Sequence, residues 1–274
     1  MASYQEIPEV TTNYSTIDQS KLYPIIFKHR RLTFQELWDN EPVGDFKVDI
    51  VRKRAQINVE NKSEAKLFST LQHNLETPER DLFVVFGQTL RNEIRRAFQK
   101  DDCKTTYHWP VSENIYESFM VKHKDFAISK NFKPLDKDLF DAYRKANRLV
   151  LSTVSLPQAE PLAWHAFVIS LNFVRYVAGL TIATSNQAQP LNALVARANK
   201  GLFWSDLLYF KAMGFKTFDW GGIFTGQSLS ATQENINNFK QRFGGKSIVL
   251  YDLQSAHSIK GHLYLIARKF LGKR

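Results

Sequence analysis

Two spacings of apolar residues take turns along the chain, and each change of spacing marks a change of predicted element. In 86–99, Leu90, Ile94, Ala97 and Phe98 fall on one side of a helix, and 117–124 and 135–147 repeat that spacing. From 149 the pattern turns β-branched and apolar. Residues 149–154 predict a strand, and 164–170 with 174–183 predict a hairpin about a polar turn at Asn172. A helix at 202–213, a strand at 215–220, a helix at 232–239, a strand at 247–251 and an apolar element at 263–270 follow. Ahead of these, 24–28 reads as a strand and 33–38 as a short helix capped by Thr33. Segments 46–51 and 55–59 read as strands joined by a basic turn, Arg52-Lys53-Arg54.

The polar segment 73–80 is the expected boundary between a small N-terminal α/β unit, 1–80, and a main domain, 81–274. Helices, then an antiparallel run, then alternating helix and strand is an α+β order. It predicts a mixed, largely antiparallel sheet flanked by helices.

Composition narrows the class. A hydrophobic content of 43%, with 21 Phe and 10 Tyr, favours a packed core over disorder. The single cysteine, Cys103, excludes an intramolecular disulfide, fits a reducing compartment, and has no histidine spaced to activate it. No signal peptide opens the chain, and no window nears the ~20 apolar residues that span a bilayer. A cytoplasmic protein is expected, with peripheral contact at a membrane surface left open. The net charge of +10 suits nucleic acid, an anionic membrane or phosphorylated small molecules, and equally a generally basic surface.

Segment 196–245 carries the densest chemistry. A predicted strand there ends in Asp219-Trp220-Gly221-Gly222, and paired glycines after a strand mark a close backbone approach or a positive φ. An acid at such a strand end is well placed to meet a ligand.

The ordered set Arg197-Ala198-Asn199, Leu202, Trp204, Asp206, Tyr209-Phe210-Lys211, Gly214, Phe218 to Gly222, Phe239-Lys240 and Phe243-Gly244-Gly245 resembles the FemABX branch of the GNAT acyltransferase superfamily. Upstream, Arg91 to Ala97 resembles the basic helix that opens its acyltransferase domain. The likeness covers about 82 to the C-terminus. It implies a GNAT-like sheet whose central strands splay to admit an acyl donor, with a cleft bordered by Asp219, Lys240 and the Arg197–Asn199 turn.

Acyl transfer needs a positioned donor, a place for the nucleophile's proton, and donors where the oxyanion develops. The resemblance places Lys240, beside Phe239, at the oxyanion or a phosphate; the plain alternative is a solvated lysine at a helix C-terminus. Asp219 either takes a proton or binds the acceptor, or else braces the turn through the amides of Gly221 and Gly222. His165 is a pocket residue or a packed strand histidine. Arg197 and Asn199 precede the predicted helix 202–213, where free N–H groups suit phosphate or carboxylate, or Asn199 merely caps it. Arg91 and Arg95 share a helix face, for an anionic acceptor or simply for solvent. Phe203 and Trp204 read as core.

The chain departs from the family in two ways. It is too short for two complete GNAT-like domains plus a coiled-coil arm, and Gln241 to Lys246 ends in Lys where an acetyl-CoA loop needs a small residue. The expected function is transfer from acyl-CoA to an amino or hydroxyl group of a nucleotide- or lipid-linked sugar in bacterial cell-surface glycan synthesis, with no metal. Aminoacyl transfer from tRNA to a peptidoglycan precursor is the enzyme alternative. A non-catalytic nucleic-acid-binding protein is the rival from another class, although no such binding motif appears.

Overall fold

The computed structural model describes residues 8, 12–13, 16–38, 41–56, 65–182, 189–226 and 228–271. Its strands are β1 (Thr12–Asn13), β2 (Ile25–His29), β3 (Leu32–Trp38), β4 (Ile50–Ala55), β5 (Lys66–Asn74), β6 (Lys104–His108), β7 (Leu149–Ser155), β8 (Ala163–Ile169), β9 (Phe173–Thr181), β10 (Thr217–Ile223) and β11 (Lys246–Ala256). They form one sheet in the order β1-β6-β7-β8-β9-β10-β5-β11-β4-β3-β2. Most neighbours are antiparallel; β1 with β6, β3 with β4 and β9 with β10 are parallel.

The helices are α1 (Glu79–Val84), α2 (Gln88–Gln99), α3 (Glu113–Ser129), α4 (Lys137–Lys145), α5 (Gln189–Ala212), α6 (Ala231–Gln241) and α7 (Ile259–Leu271). β8, Ala-Trp-His-Ala-Phe-Val-Ile, is buried at every position because both faces of the sheet are covered there. One core joins Phe86, Leu90 and Ile94 to Phe167, Phe203, Trp204, Phe218, Trp220 and Phe243. Another joins Phe119, Phe140 and Tyr143 to Leu151, Trp164, Ala166 and Trp38. Burying such aromatic side chains supplies about 1.5–3 kcal/mol each before entropy is charged against it.

Four local expectations change. Residues 33–38 are strand: in β3 both faces are buried, with Trp38 stacked on Phe173 at 6.0 Å and Leu37 packed with Val48 and Val51. A helix there would expose one of those faces. The basic triplet lies inside β4, because Asp252 of β11 accepts from Arg52 at 2.7 Å and lies 3.4 Å from Arg54. Segment 73–80 is no gap: His73 is buried in β5, and α1 opens at Glu79. The helix predicted at 202 begins at Gln189. The predicted strand ends at 57–59 and Ala183 lie outside the described residues.

The sheet also crosses position 80. β10 pairs with β5, and β11 inserts between β5 and β4.

Candidate active site where two parallel strands part

β9 and β10 run side by side through only three pairs: Phe173 with Thr217, Val174 with Phe218, and Arg175 with Asp219. Both strands continue, but the ladder stops there. β10 also bulges against β5 between Asp219 and Gly222. Gly221, inside the bulge, has φ +72°, and a Cβ at that position would lie 2.7 Å from the Tyr176 carbonyl oxygen. Only glycine fits both demands. The sequence cue of acid then paired glycines thus marks the parting of the central strands.

Asp219 is fully buried at this point. Its Oδ1 accepts from Thr70 Oγ1 at 2.8 Å and from the Gly221 amide at 2.7 Å, and its Oδ2 accepts from Gln72 Nε2 at 2.9 Å. Arg175 Nε stands 3.9 Å from Oδ1. A carboxylate held by three donors and a neighbouring cation ties β10 to β5 and fixes the bulge. That geometry is a brace.

Lys240 occupies the last turn of α6, and its Nζ donates to the Gly222 carbonyl at 2.7 Å. Burial first, then the nearby Arg175 charge, draws its pKa down to about 8, while Asp219 opposes the shift. It is therefore not the solvated helix-end lysine of the plain alternative. α6 is fixed at both ends. A reciprocal Ser230/Gln233 capping box starts it, and Phe239 and Phe243 pack near its end, Phe239 on Phe203 at 5.7 Å and Phe243 on Trp220 at 4.5 Å. Asn237 further clamps the helix by bonding both the amide and the carbonyl of Phe224.

Arg175 is the residue that sequence reasoning missed. Its guanidinium lies between the rings of Phe68 (4.4 Å) and Trp38 (4.9 Å), and burial lowers its pKa. Its Nη1 is buried without a hydrogen-bond partner among the described residues. The signal was one cation in the apolar run Phe-Val-Arg-Tyr-Val-Ala of β9. A cavity of about 120 Å³ lies on this side of the sheet, lined by Arg54, Gln72, Phe173 and Thr217 among others.

The remaining candidates stand elsewhere. Arg197 and Asn199 lie inside α5, so the free helix-start amides expected beside them are absent; Arg197 Nε binds Asp101 at 2.7 Å. Asn199 Oδ1 meets His165 Nε2 at 2.9 Å, and His165 Nδ1 meets Asp206 at 2.7 Å. His165 is thus a packed strand histidine, 3.9 Å from the Phe203 ring and almost wholly buried. Burial raises the pKa of its partner Asp206. Arg91 donates to the Val84 carbonyl at the end of α1 and to the Phe86 carbonyl just beyond it, and Arg95 reaches Asn92 and lies over Phe83. Arg175, rather than this arginine set, accompanies Lys240. Cys103 is buried with its thiol pushed up to about 12, far from a reactive thiolate.

Among the described residues no group of three His, Cys, Asp or Glu could hold a metal ion, and no helix is long and apolar enough to cross a membrane.

No protein-family model matches the sequence, and the curated proteins give no match. Solved structures do. FemX is 12% identical over 89% of this chain and 85% of its own, with a TM-score of 0.58. L-PGS from Bacillus licheniformis is 12% identical over 92% of each chain, with a TM-score of 0.52. At that identity the likeness shows the fold: a GNAT-like mixed, mostly antiparallel sheet flanked by helices.

Proposed function

We propose that this chain is an acyltransferase working where β9 and β10 part. It moves an acyl group from an activated donor, foremost acyl-CoA, to an amino or hydroxyl group on a nucleotide- or lipid-linked sugar, in the cytoplasm. The observation that carries this reading is the Lys240 ammonium, partly dry and bonded to the Gly222 carbonyl beside the bulge.

In the reaction the acceptor's lone pair attacks the acyl carbonyl, a C–N or C–O bond forms, and the carbonyl electrons move onto oxygen. Collapse of that oxyanion expels the donor's thiolate or alkoxide, and the acceptor's proton passes to the leaving group or to water. Lys240 supplies the positive charge facing the oxyanion, in a site where water screens it poorly. Arg175 keeps the local potential positive, and Asp219 holds the bulge that fixes both strands. FemX and L-PGS support a second reading in which the donor is aminoacyl-tRNA.

Transfer assays pairing acyl-CoA esters or aminoacyl-tRNA with nucleotide sugars and lipid-linked acceptors test both readings. Lys240→Ala should lower turnover by roughly 10²–10³, the usual effect of losing one preorganised donor, with a much smaller change in melting temperature. Near-normal turnover in that variant would remove the site from this part of the fold.

A further inference from the structure

α7 is held to the molecule by one side only. Tyr264 and Leu265 pack against the cluster of Leu32, Phe34 and Ile50, with the Tyr264 ring edge-on to Phe34 at 6.0 Å. Gly261 lies so close to β4's entry that a Cβ there would stand 2.1 Å from the Asp49 carbonyl oxygen. Arg268 donates to Gln254 of β11 at 2.7 Å.

The opposite side carries Ile259, Leu263, Ile266 and Phe270, spaced four, three and four residues apart, so all four form one stripe. Each is between 53% and 82% exposed. Lys260, His262 and Lys269 flank the stripe, and α7 contains no Asp or Glu.

We propose that this stripe seats α7 in the surface of a membrane that contains anionic lipid. The helix has 13 residues, roughly 20 Å in length, against ~30 Å of hydrocarbon, so it lies in the interface plane and does not cross. Apolar residues flanked by cations, without acids, match that interface: side chains enter the acyl boundary while the lysines meet lipid phosphates. A second copy of the chain is the poorer occupant. Two such helices face to face would bring lysines together with no carboxylate from α7 to answer them, on chains that each carry +10. Because the stripe opposes the docked side, seating α7 disturbs none of the contacts that hold it. The proposal is independent of the transferase reading.

Co-sedimentation of the full chain with phosphatidylcholine vesicles, with and without about 30 mol% phosphatidylglycerol, tests it. The chain should pellet with the anionic vesicles, and added salt should weaken but not abolish the binding. Leu263→Asp with Ile266→Asp should cut the bound fraction roughly tenfold at an unchanged melting temperature, as both side chains are exposed. Ile259→Ser with Phe270→Ser, a milder pair, should reduce it in the same direction. Failure of the wild-type chain to bind anionic vesicles, equal binding to neutral ones, or full binding by either folded variant overturns the proposal. So does a dimer in solution that the Asp variants dissociate.

Discussion

Asp219 lies in the bulge and Lys240 reaches it from α6, yet the two serve it differently, and two measurements separate them. If the charged form of Lys240 faces the oxyanion, turnover should be highest while the ammonium is protonated and should fall as pH rises through about 8. A rate that climbs through that pH instead would make the free amine a base. Asp219→Asn should lower both activity and stability. It leaves Arg175 buried beside a neutral partner and sets an amide among donors that served a carboxylate, at a cost on the order of 3 kcal/mol by denaturant unfolding. At this scale the sequence made Lys240, Asp219 and the two glycines legible, because acid-then-glycines and Phe-Lys-x-x-Phe-Gly-Gly are local patterns. Arg175 was not legible. Its meaning comes from Phe68 and Trp38, which are more than a hundred positions away and reach it only through the curl of the sheet.

Among elements, α2, α5 and α6 meet at Glu93. Lys200 of α5 donates to it at 2.5 Å, and Arg242, at the C-cap of α6, reaches it at 3.2 Å. Lys200 is buried, so Glu93→Gln should cost on the order of 3 kcal/mol through the stranded ammonium. Arg242→Ala, losing an exposed pair, should cost about 0.2–1 kcal/mol. Melting both variants checks the contrast; equal losses would mean that Glu93 does not organise the three helices. α2 and α4 were readable from their helical spacing, and the β8–β9 hairpin from two apolar runs about the polar turn at Asn172. β3 was not, because Leu-Thr-Phe-Gln-Glu-Leu-Trp packs on both faces and loses the alternation that marks a half-exposed strand. α5 was read too short: the stretch from 189 to 201 is more polar than its C-terminal half, and tertiary packing on α2 carries the helix through it.

Across the whole molecule, the short ladder between β9 and β10 has a mechanical meaning. β1, β6, β7, β8 and β9 form one wing of the sheet, and β10, β5, β11, β4, β3 and β2 form the other. Three residue pairs join the wings, whereas β7 and β8 share six and β5 and β11 share seven. Apart from the two-pair contact of the edge strand β1 with β6, this is the shortest ladder in the sheet. It runs through the place proposed for chemistry, so a substrate lying across it would act as a rivet between the halves. Native-state hydrogen exchange should show the amides of 173–175 and 217–219 opening at lower free energy than those of β7 and β8. A bound donor at about a hundred times its Kd should raise that opening cost by about 2.7 kcal/mol if the opened form releases it. Uniform protection on both sides of the line would mean that the packed helices alone hold the wings together. Otherwise occupancy and wholeness are one equilibrium: an empty molecule breathes along its midline, and a loaded one moves as a single body.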